Sequence, residues 1–288
     1  VFRKKTEILK GYIARKGLNG YAVRRFRKLI RDFYRNFGRN LPWRGTEDPY
    51  RILVSEIMLQ QTQVHRVCTK YAEFIQVFPD FRSLARASVK DVLSVWKGLG
   101  YNKRALALRE TAIAVERKYK GYLPDREEEL IRLPGIGPAT AADIMVFAFN
   151  RPALVVETNI RAVYIHLFFS ENEQVDDRML RPLVARTMDR KDPRGWYNGL
   201  MDLGTWIKKE YGNPASRSRH YTKQSSFEGS NRQMRSRILT FLMENGASSA
   251  DSISRSLSIP AAGIEQNLRQ MAKEGFVKER KAVYSIQD

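Results

Sequence analysis

The chain has 288 residues, 43% of them hydrophobic, which is ordinary for a globular protein and enough for two domains with a sizeable core. No apolar run nears the ~20 residues of a membrane span, and the opening VFRKKTEILK lacks the apolar centre of a secretory signal. The formal net charge of +20, from 51 basic and 31 acidic residues, favours a polyanionic partner. Nucleic acid is favoured over acidic membrane, because the basic stretches are broken by Tyr and Gly and form no clean amphipathic anchor.

Residues 1–20 are basic and Gly-punctuated, and a helix or arm on the surface is expected there. The apolar spacing of Val23, Phe26, Ile30, Phe33 and Tyr34 predicts a helix over Tyr21–Phe37, with Arg and Lys on its other face either solvated or at phosphates. Leu41-Pro-Trp-Arg44 leads into a loop, and Pro49 sits in the first turn of a helix over 49–59. Along it Ile52, Leu53, Ile57 and Met58 face inward, and Glu56 lies near that apolar face, where its pKa is expected to rise. Gln60-Gln61-Thr62 comes next. Helices are predicted over 63–77, 81–86, 88–96, 102–119 and 126–132, with the Gly-rich turn Leu99-Gly100-Tyr101 placing an aromatic that is either a stacking residue or core.

Leu133-Pro-Gly-Ile-Gly-Pro-Ala-Thr-Ala141 then joins two helices, the second over about 139–149. Gly135 and Gly137 suit a tight turn that lets a ligand approach bare backbone. The N–H groups that start the second helix have no partner in the preceding turn, which makes an anion site, with phosphate the favoured anion. Glu157 follows an apolar run and precedes Thr158-Asn159, a helix start leading into 160–169. Further helices are expected over 176–188 and 193–208. Residues 211–229 are rich in Ser, Arg, Asn and Pro, a linker or an irregular wrap whose Arg217, Arg219, His220 and Lys223 are candidates to track phosphates.

From 231 the character changes. A helix over 231–244, a second after Ser248–Asp251 with Ile253 and Leu257 inward, a third over 260–274 with Ile264, Leu268 and Met271 on one face, and two β-like segments flanking Arg280-Lys281 resemble a winged helix-turn-helix. The third helix shows Glu265, Gln266, Arg269 and Gln270, only weakly basic, so DNA reading and a packing or protein-contact role both stand.

LPGIGPATA resembles the helix-hairpin-helix of the base-excision DNA glycosylase superfamily. LPWRGTEDPYRILVSEIMLQQTQV (Leu41–Val64), Trp96-Lys-Gly-Leu-Gly-Tyr101 and Met201-Asp-Leu-Gly204 are similar to the MutY-type adenine DNA glycosylases, in the family's order across roughly 25–210. The resemblance implies a mainly α, two-lobed helix-hairpin-helix glycosylase fold with the active cleft between the lobes, followed by the small winged-helix-like domain. The expected division is a helical core over 1–210 with its hairpin at 133–141, a basic linker over 211–230, and the winged-helix-like domain over 231–288. Many relatives hold a four-cysteine iron–sulfur cluster after the Met-Asp-Leu-Gly segment. Here Cys68 is the single cysteine, so the linker replaces that loop and a clusterless variant is expected. His65, His166 and His220 show no metal-ligand spacing. No cofactor is expected beyond a monovalent cation at the hairpin.

The chemistry implied is hydrolysis of the N-glycosidic bond of a flipped-out base. Glu56 is the expected general acid for the departing base. Glu157 is the anion near the sugar cation, as stabiliser, nucleophile or orienter of water, and Asn159 positions the carboxylate or water. The resemblance places Arg44, Gln60, Gln61, Thr62, Leu99, Tyr101, Gly135, Gly137, Ala139 and Thr140 at the DNA, with Gln61 as the wedge and Tyr101 intercalating. Two positions depart from the family. It usually has Asp where Glu157 stands; the extra methylene moves the carboxylate by about 1.5 Å, and such offsets lower rates on the order of 100-fold. Either the pocket has retreated, or the activity is weak or different. Ala139 stands where bifunctional relatives carry the lysine of Schiff-base attack, so no strong lyase is expected; adenine-specific relatives often have Tyr or Ser there.

The expected partner is double-stranded DNA with a mismatch or lesion, bound by a monomer without a membrane, in the nucleoid of a prokaryote or in a nucleus. Three readings stand: a monofunctional glycosylase for adenine opposite 8-oxoguanine or guanine, a glycosylase for thymine or uracil opposite guanine, and a non-catalytic damage-binding protein.

Overall fold

The computed structural model describes residues 2–287; Val1 and Asp288, the outer ends of the expected segments 1–20 and 231–288, lie outside the described residues. The helices in chain order are α1 (Phe2–Lys16), α2 (Gly20–Phe37), α3 (Pro49–Leu59), α4 (Val64–Val77), α5 (Phe81–Arg86), α6 (Val89–Trp96), α7 (Lys103–Tyr119) and α8 (Glu127–Leu130). They continue as α9 (Pro138–Phe147), α10 (Thr158–Phe168), α11 (Asp177–Thr187), α12 (Pro193–Glu210), α13 (Asn231–Asn245), α14 (Ala250–Leu257) and α15 (Ala261–Lys273). Strands β1 (Ser248–Ser249), β2 (Val277–Arg280) and β3 (Val283–Ile286) complete the fold. No helix among the described residues is long and apolar enough to cross a membrane.

The chain divides into two compact units. The first takes the residues up to Ile52, Asp125–Ile131 and Ile136–Lys223; the second takes Leu53–Pro124, Arg132–Gly135 and the residues from Gln224 onward.

In the first unit α10 is the centre. Ile160, Ala162, Val163, Tyr164, Ile165 and Leu167 are all buried, so this helix is apolar nearly all round and needs neighbours on every side. α12, α1 and the turn Pro214–Arg217 supply them. Phe26 of α2 meets Tyr164, Phe168 and Trp196 edge-on, with ring centroids 5.4–5.5 Å apart. The basic N-terminal segment, expected as a helix or arm on the surface, forms the helix α1, with Thr6, Leu9 and Ile13 buried. Its apolar positions are sparse because one narrow stripe suffices to cover α10. The expected linker over 211–230 is also a wrap in its first part: Ala215 is buried, Val175 bridges to Ser218, and Arg217 donates to the carbonyl of Ile165. From Arg219 to Gly229 the residues are exposed.

The second unit packs α4 to α7 around Trp96, Phe74 and Leu108. Residues from Gln224 onward, which include the segment expected over 231–288, lie in this unit. Their order is helix, strand, two helices, two strands, and the sheet runs β1-β3-β2, antiparallel throughout. Val277 faces Ile286 and Arg280 faces Val283 across the β2–β3 hairpin. Lys281 and Ala282 turn it, both with positive φ (51° and 59°). The two-residue β1 was missed because a pair of serines carries no alternation. This architecture is the winged-helix-like arrangement expected.

Replacing Phe26 by Ala removes the ring that three aromatics share. A loss of about 3–5 kcal/mol in unfolding free energy is expected, read from the urea midpoint.

Candidate active site and nucleic-acid interface

The approach to Glu157 is fixed from α12. The Tyr197 hydroxyl donates to the carbonyl of Ala153 at 2.9 Å and accepts the Val155 N–H at 3.2 Å. Burial pushes this phenol up to about 12, so it stays a donor at neutral pH. Glu157 then takes the N-cap position of α10 with extended backbone (φ −97°, ψ 168°), and its carbonyl accepts the first helical bond, from Arg161 at 2.8 Å. Its side chain makes no capping bond to the first turn. Asp, Asn, Ser or Thr at an N-cap normally closes that bond; here a longer carboxylate stands at the helix start without doing so.

Glu157 is half-buried, and its carboxyl lies among enough protein atoms that burial pushes it above the usual glutamate value. Arg161, one turn along α10, and the Thr158 N–H oppose that rise, and Asp177 adds to it. Arg161 is itself fixed by a two-pronged pair with Asp177, at 2.8 and 2.6 Å. Beside Glu157, the Asn159 Oδ1 is buried and has no hydrogen-bond partner among the described residues. An unmet buried acceptor of this kind is a group awaiting a donor, such as water.

The Met201–Gly204 segment explains how this helix start is placed. A Cβ on Gly204 would sit 2.1 Å from the Asn159 carbonyl oxygen, so only glycine lets α12 touch the backbone of α10 there. Asp202 has a side chain only 1% exposed and accepts the Arg39 Nε at 2.5 Å, the Arg39 backbone N–H at 2.9 Å, and the Arg44 Nη1 and Nη2 at 2.7 and 3.0 Å. Arg44, expected at the DNA, is therefore an internal cation: its fork closes on Asp202 and ties the 39–45 loop to α12.

From Leu53 on, where it belongs to the second unit, α3 is buried nearly all round. Leu53, Val54, Ser55, Ile57 and Met58 are buried and Glu56 is half-buried. The helix ends at Leu59, and one residue shapes the turn beyond it. Arg104 Nη1 donates to the carbonyls of Ile57 (2.7 Å), Met58 (2.9 Å) and Gln60 (2.6 Å). Its Nη2 donates to Thr62 Oγ1 (2.9 Å) and the Gly100 carbonyl (3.0 Å). A helix end leaves carbonyls without partners, and a guanidinium is suited to collecting them. Burial lowers Arg104 to about 10, which still leaves it charged at neutral pH. It is the functional-loop residue that sequence reading missed: one arginine in so basic a chain carries no distinguishing signal.

Arg104 thus joins the two expected DNA-facing turns. Gln61 stands exposed with φ +55°, a left-handed conformation rare for a residue with a side chain, while Gln60 and Thr62 are half-buried. Tyr101 is also left-handed (φ +47°) and half-buried. Leu99, expected at the DNA, is 2% exposed and belongs to the core, because it anchors the turn that presents Tyr101.

At the hairpin, Leu133 and Ile136 are buried pegs and Gly135, Gly137, Pro138 and Ala139 are exposed. Gly135 has φ +73°, and a Cβ there would meet Ala107 at 2.7 Å. Thr111 Oγ1 donates to the Pro134 carbonyl at 2.7 Å. α9 starts at Pro138, and its first backbone bond onto the N-cap is Ala141 N–H to Gly137 O at 2.9 Å. The N–H group of Ala139 thus precedes the helical ladder. Among the described residues no cluster of three His, Cys, Asp or Glu is arranged for a metal.

The hairpin with its buried pegs, the helix start beyond it and the carboxylate at the next helix all lie within residues 54–184, which match the HhH-GPD superfamily of base excision DNA repair proteins. The curated relatives the chain is similar to include adenine DNA glycosylases. It is 36% identical over 187 residues to the adenine DNA glycosylase of Buchnera aphidicola subsp. Baizongia pistaciae, covering 63% of this chain and 52% of that one. It is 41% identical over 132 residues to the adenine DNA glycosylase of Mycobacterium tuberculosis, covering 46% of this chain and 43% of that one. The chain therefore spans about half the length of the curated relatives it matches. The solved structure of a thermostable thymine-DNA glycosylase superposes with a TM-score of 0.56 at 28% identity, over 63% of this chain and 85% of that one.

Two measurements check this geometry. Gly204→Ala drives a methyl into the α10 backbone and is expected to lower unfolding free energy by about 3 kcal/mol. For Glu157, burial raises the folded-state carboxyl above its ordinary 4.5, so its contribution to stability is full below that pH and is lost as pH rises through the raised value. Glu157→Gln is therefore expected to melt above the wild type at about pH 8 and level with it at about pH 4; a wild type that melts higher at the alkaline end would contradict the assignment.

Proposed function

We propose that this protein is a monofunctional DNA glycosylase of base excision repair that flips out a mispaired base, adenine opposite 8-oxoguanine or guanine, and hydrolyses its N-glycosidic bond. The observation that carries this reading is Glu157: a carboxylate at the start of α10, raised in pKa by burial and unused as a cap, beside the unmet Asn159 Oδ1. The adenine DNA glycosylases it matches support the choice of base.

In this reading Glu56 gives its proton to the departing base as the bond to the sugar breaks. Glu157 stays ionised and stabilises the positive charge left on the sugar. Water then bonds to the sugar carbon and gives up its proton to a carboxylate, with Asn159 Oδ1 as the acceptor that holds the water. Burial raises the pKa of Glu157, which makes it a stronger base than a solvated glutamate, and the nearby Arg161 favours its ionised form. Gln61 wedges into the duplex, with Gln60 and Thr62 shaping its turn and Tyr101 stacking. The start of α9, with Gly135, Gly137, Ala139 and Thr140, grips a backbone phosphate. A monovalent cation at the hairpin would add to that grip without entering the reaction. Ala139 offers no nucleophile, so strand cleavage by a Schiff base is not part of this chemistry. The single cysteine, half-buried Cys68 on α4, cannot supply the four ligands of an iron–sulfur cluster, and none is used. The protein acts as a monomer on double-stranded DNA, in the nucleoid of a prokaryote or in a nucleus, and its binding weakens steeply with salt.

Single-turnover excision at low salt tests this reading, with adenine opposite 8-oxoguanine, adenine opposite guanine, and thymine or uracil opposite guanine. Adenine release is expected, falling by at least about 100-fold in Glu157→Gln while duplex binding persists. Release of thymine or uracil instead would change the assigned base. Tight binding with no release from any duplex would make this a damage-binding protein, and a gain of activity in Glu157→Asp would locate the misplaced carboxylate.

A further inference from the structure

Tyr101 is held by residues from the C-terminal module. Its hydroxyl accepts the Arg232 Nη1–H at 2.6 Å and the Gln224 Nε2–H at 2.5 Å. The Arg232 guanidinium lies 5.3 Å from the Tyr101 ring centroid, and that of Arg104 lies 5.5 Å from it. The other nitrogen of the Arg232 fork donates to the Ser225 carbonyl at 2.7 Å, which joins the exposed 224–229 segment to the same point.

The module is anchored at more than this one place. Lys103, two residues beyond Tyr101, pairs with Glu274 at 2.9 Å, and Arg235 of α13 pairs with the same carboxylate. At the far end of α13, Glu244 pairs with Lys97 at 2.9 Å and Met243 Sδ accepts from Ser94 Oγ at 3.7 Å. α13 therefore lies fixed, with Arg232 in its first turn aimed at Tyr101.

The module is poorly suited to reading a duplex by itself. Residues 224–288 carry nine Lys/Arg and seven Asp/Glu, a surplus of two out of the chain's +20. Arg269 on the exposed face of α15 is paired with Glu265 at 2.9 Å. A duplex reader of this architecture needs a basic stripe on that helix.

We propose that the winged-helix-like module is a clamp on the Tyr101 turn, with Arg232 and Gln224 the positioning residues that hold Tyr101 ready to enter a distorted duplex. This rests on the proposed function, in which Tyr101 stacks within opened DNA. The clamp answers a physical need. A left-handed tyrosine is strained by about 1–2 kcal/mol and relaxes unless its surroundings hold it. Two donors on the hydroxyl oxygen hold it, and they leave the hydroxyl's own proton directed away from Arg232 and Gln224, available to an acceptor on DNA. Arg232 and Gln224 act through Tyr101 and make no base contact themselves.

The full chain is compared with Arg232→Met, Arg232→Lys, Tyr101→Phe, Tyr101→Ala and the double variant Arg232→Met/Tyr101→Phe. Each is tested for binding to a mismatched and a matched duplex at one salt concentration, and for single-turnover excision. Arg232→Met is expected to weaken mismatched binding about tenfold, the scale of a hydrogen bond to a charged group, and to leave matched binding within about twofold. Arg232→Lys recovers part of the loss. Tyr101→Phe, which keeps the ring and the fold, reproduces the loss, and the double variant is no worse than either single one. Equal weakening of both duplexes by Arg232→Met would make Arg232 a phosphate contact and overturn the proposal. So would an unaffected Arg232→Met beside a defective Tyr101→Ala. A Tyr101→Ala protein that binds and excises like wild type would instead overturn the stacking role of Tyr101 in the proposed function.

Discussion

Contact between two helix backbones places the carboxylate on which the proposed chemistry depends. At Gly204 the absent side chain lets α12 reach the α10 backbone at Asn159, where a Cβ would sit 2.1 Å from a carbonyl oxygen. Glu157 begins α10, so its position is set by that approach. α12 also carries Tyr197, which fixes the residues entering Glu157, and Asp202, which fixes the 39–45 loop through Arg39 and Arg44. α12 thus acts as a rigid ruler for the first unit. Its contacts are backbone, buried hydroxyl and buried ion cluster, none of which yields easily, because a buried charge stripped of its partner is strongly destabilising. That rigidity is what a catalytic carboxylate needs, since its usefulness falls steeply with displacement.

In the second unit a single guanidinium has the corresponding task. Arg104 collects the carbonyls at the end of α3 and ties them to the turn that presents Tyr101. Both turns contain a left-handed residue with a side chain, Gln61 and Tyr101. Such strain persists only where the surroundings over-determine the conformation, and here Arg104 does so from inside while Arg232 and Gln224 do so from the C-terminal module. Strained side chains on rigid supports are what a protein needs to push into a stacked duplex. The paired charges on α15 fit a supporting part better than a reading head.

Charge is divided accordingly. The large positive excess lies outside the C-terminal module and suits a phosphate backbone. Inside the fold, charges are tightly matched: Asp202 with Arg39 and Arg44, Asp177 with Arg161, Glu274 with Lys103 and Arg235. Glu157 is held near Arg161 without a capping bond, and burial raises its pKa.

By itself the sequence determined the helical periods, the hairpin with its glycines and apolar pegs, the bounds of α3, the helix start at Glu157 and the order of the winged module. Each of these is local: spacing of apolar residues, a turn residue or a cap acts over a few positions of chain. Only tertiary structure decided the fates of Arg44, Leu99, Arg104 and Arg232. Arg44 and Arg104 look alike in a sequence with 51 basic residues, yet one closes on a carboxylate 158 positions away and the other on carbonyls 44 to 47 positions back. Leu99 and Tyr101 are two apart, and one is core while the other is presented. Tyr101 meets Arg232 across 131 positions. Partners so distant are chosen by which surfaces the folded elements bring together, and an arginine's long, featureless stem gives no sign beforehand of where its fork will end.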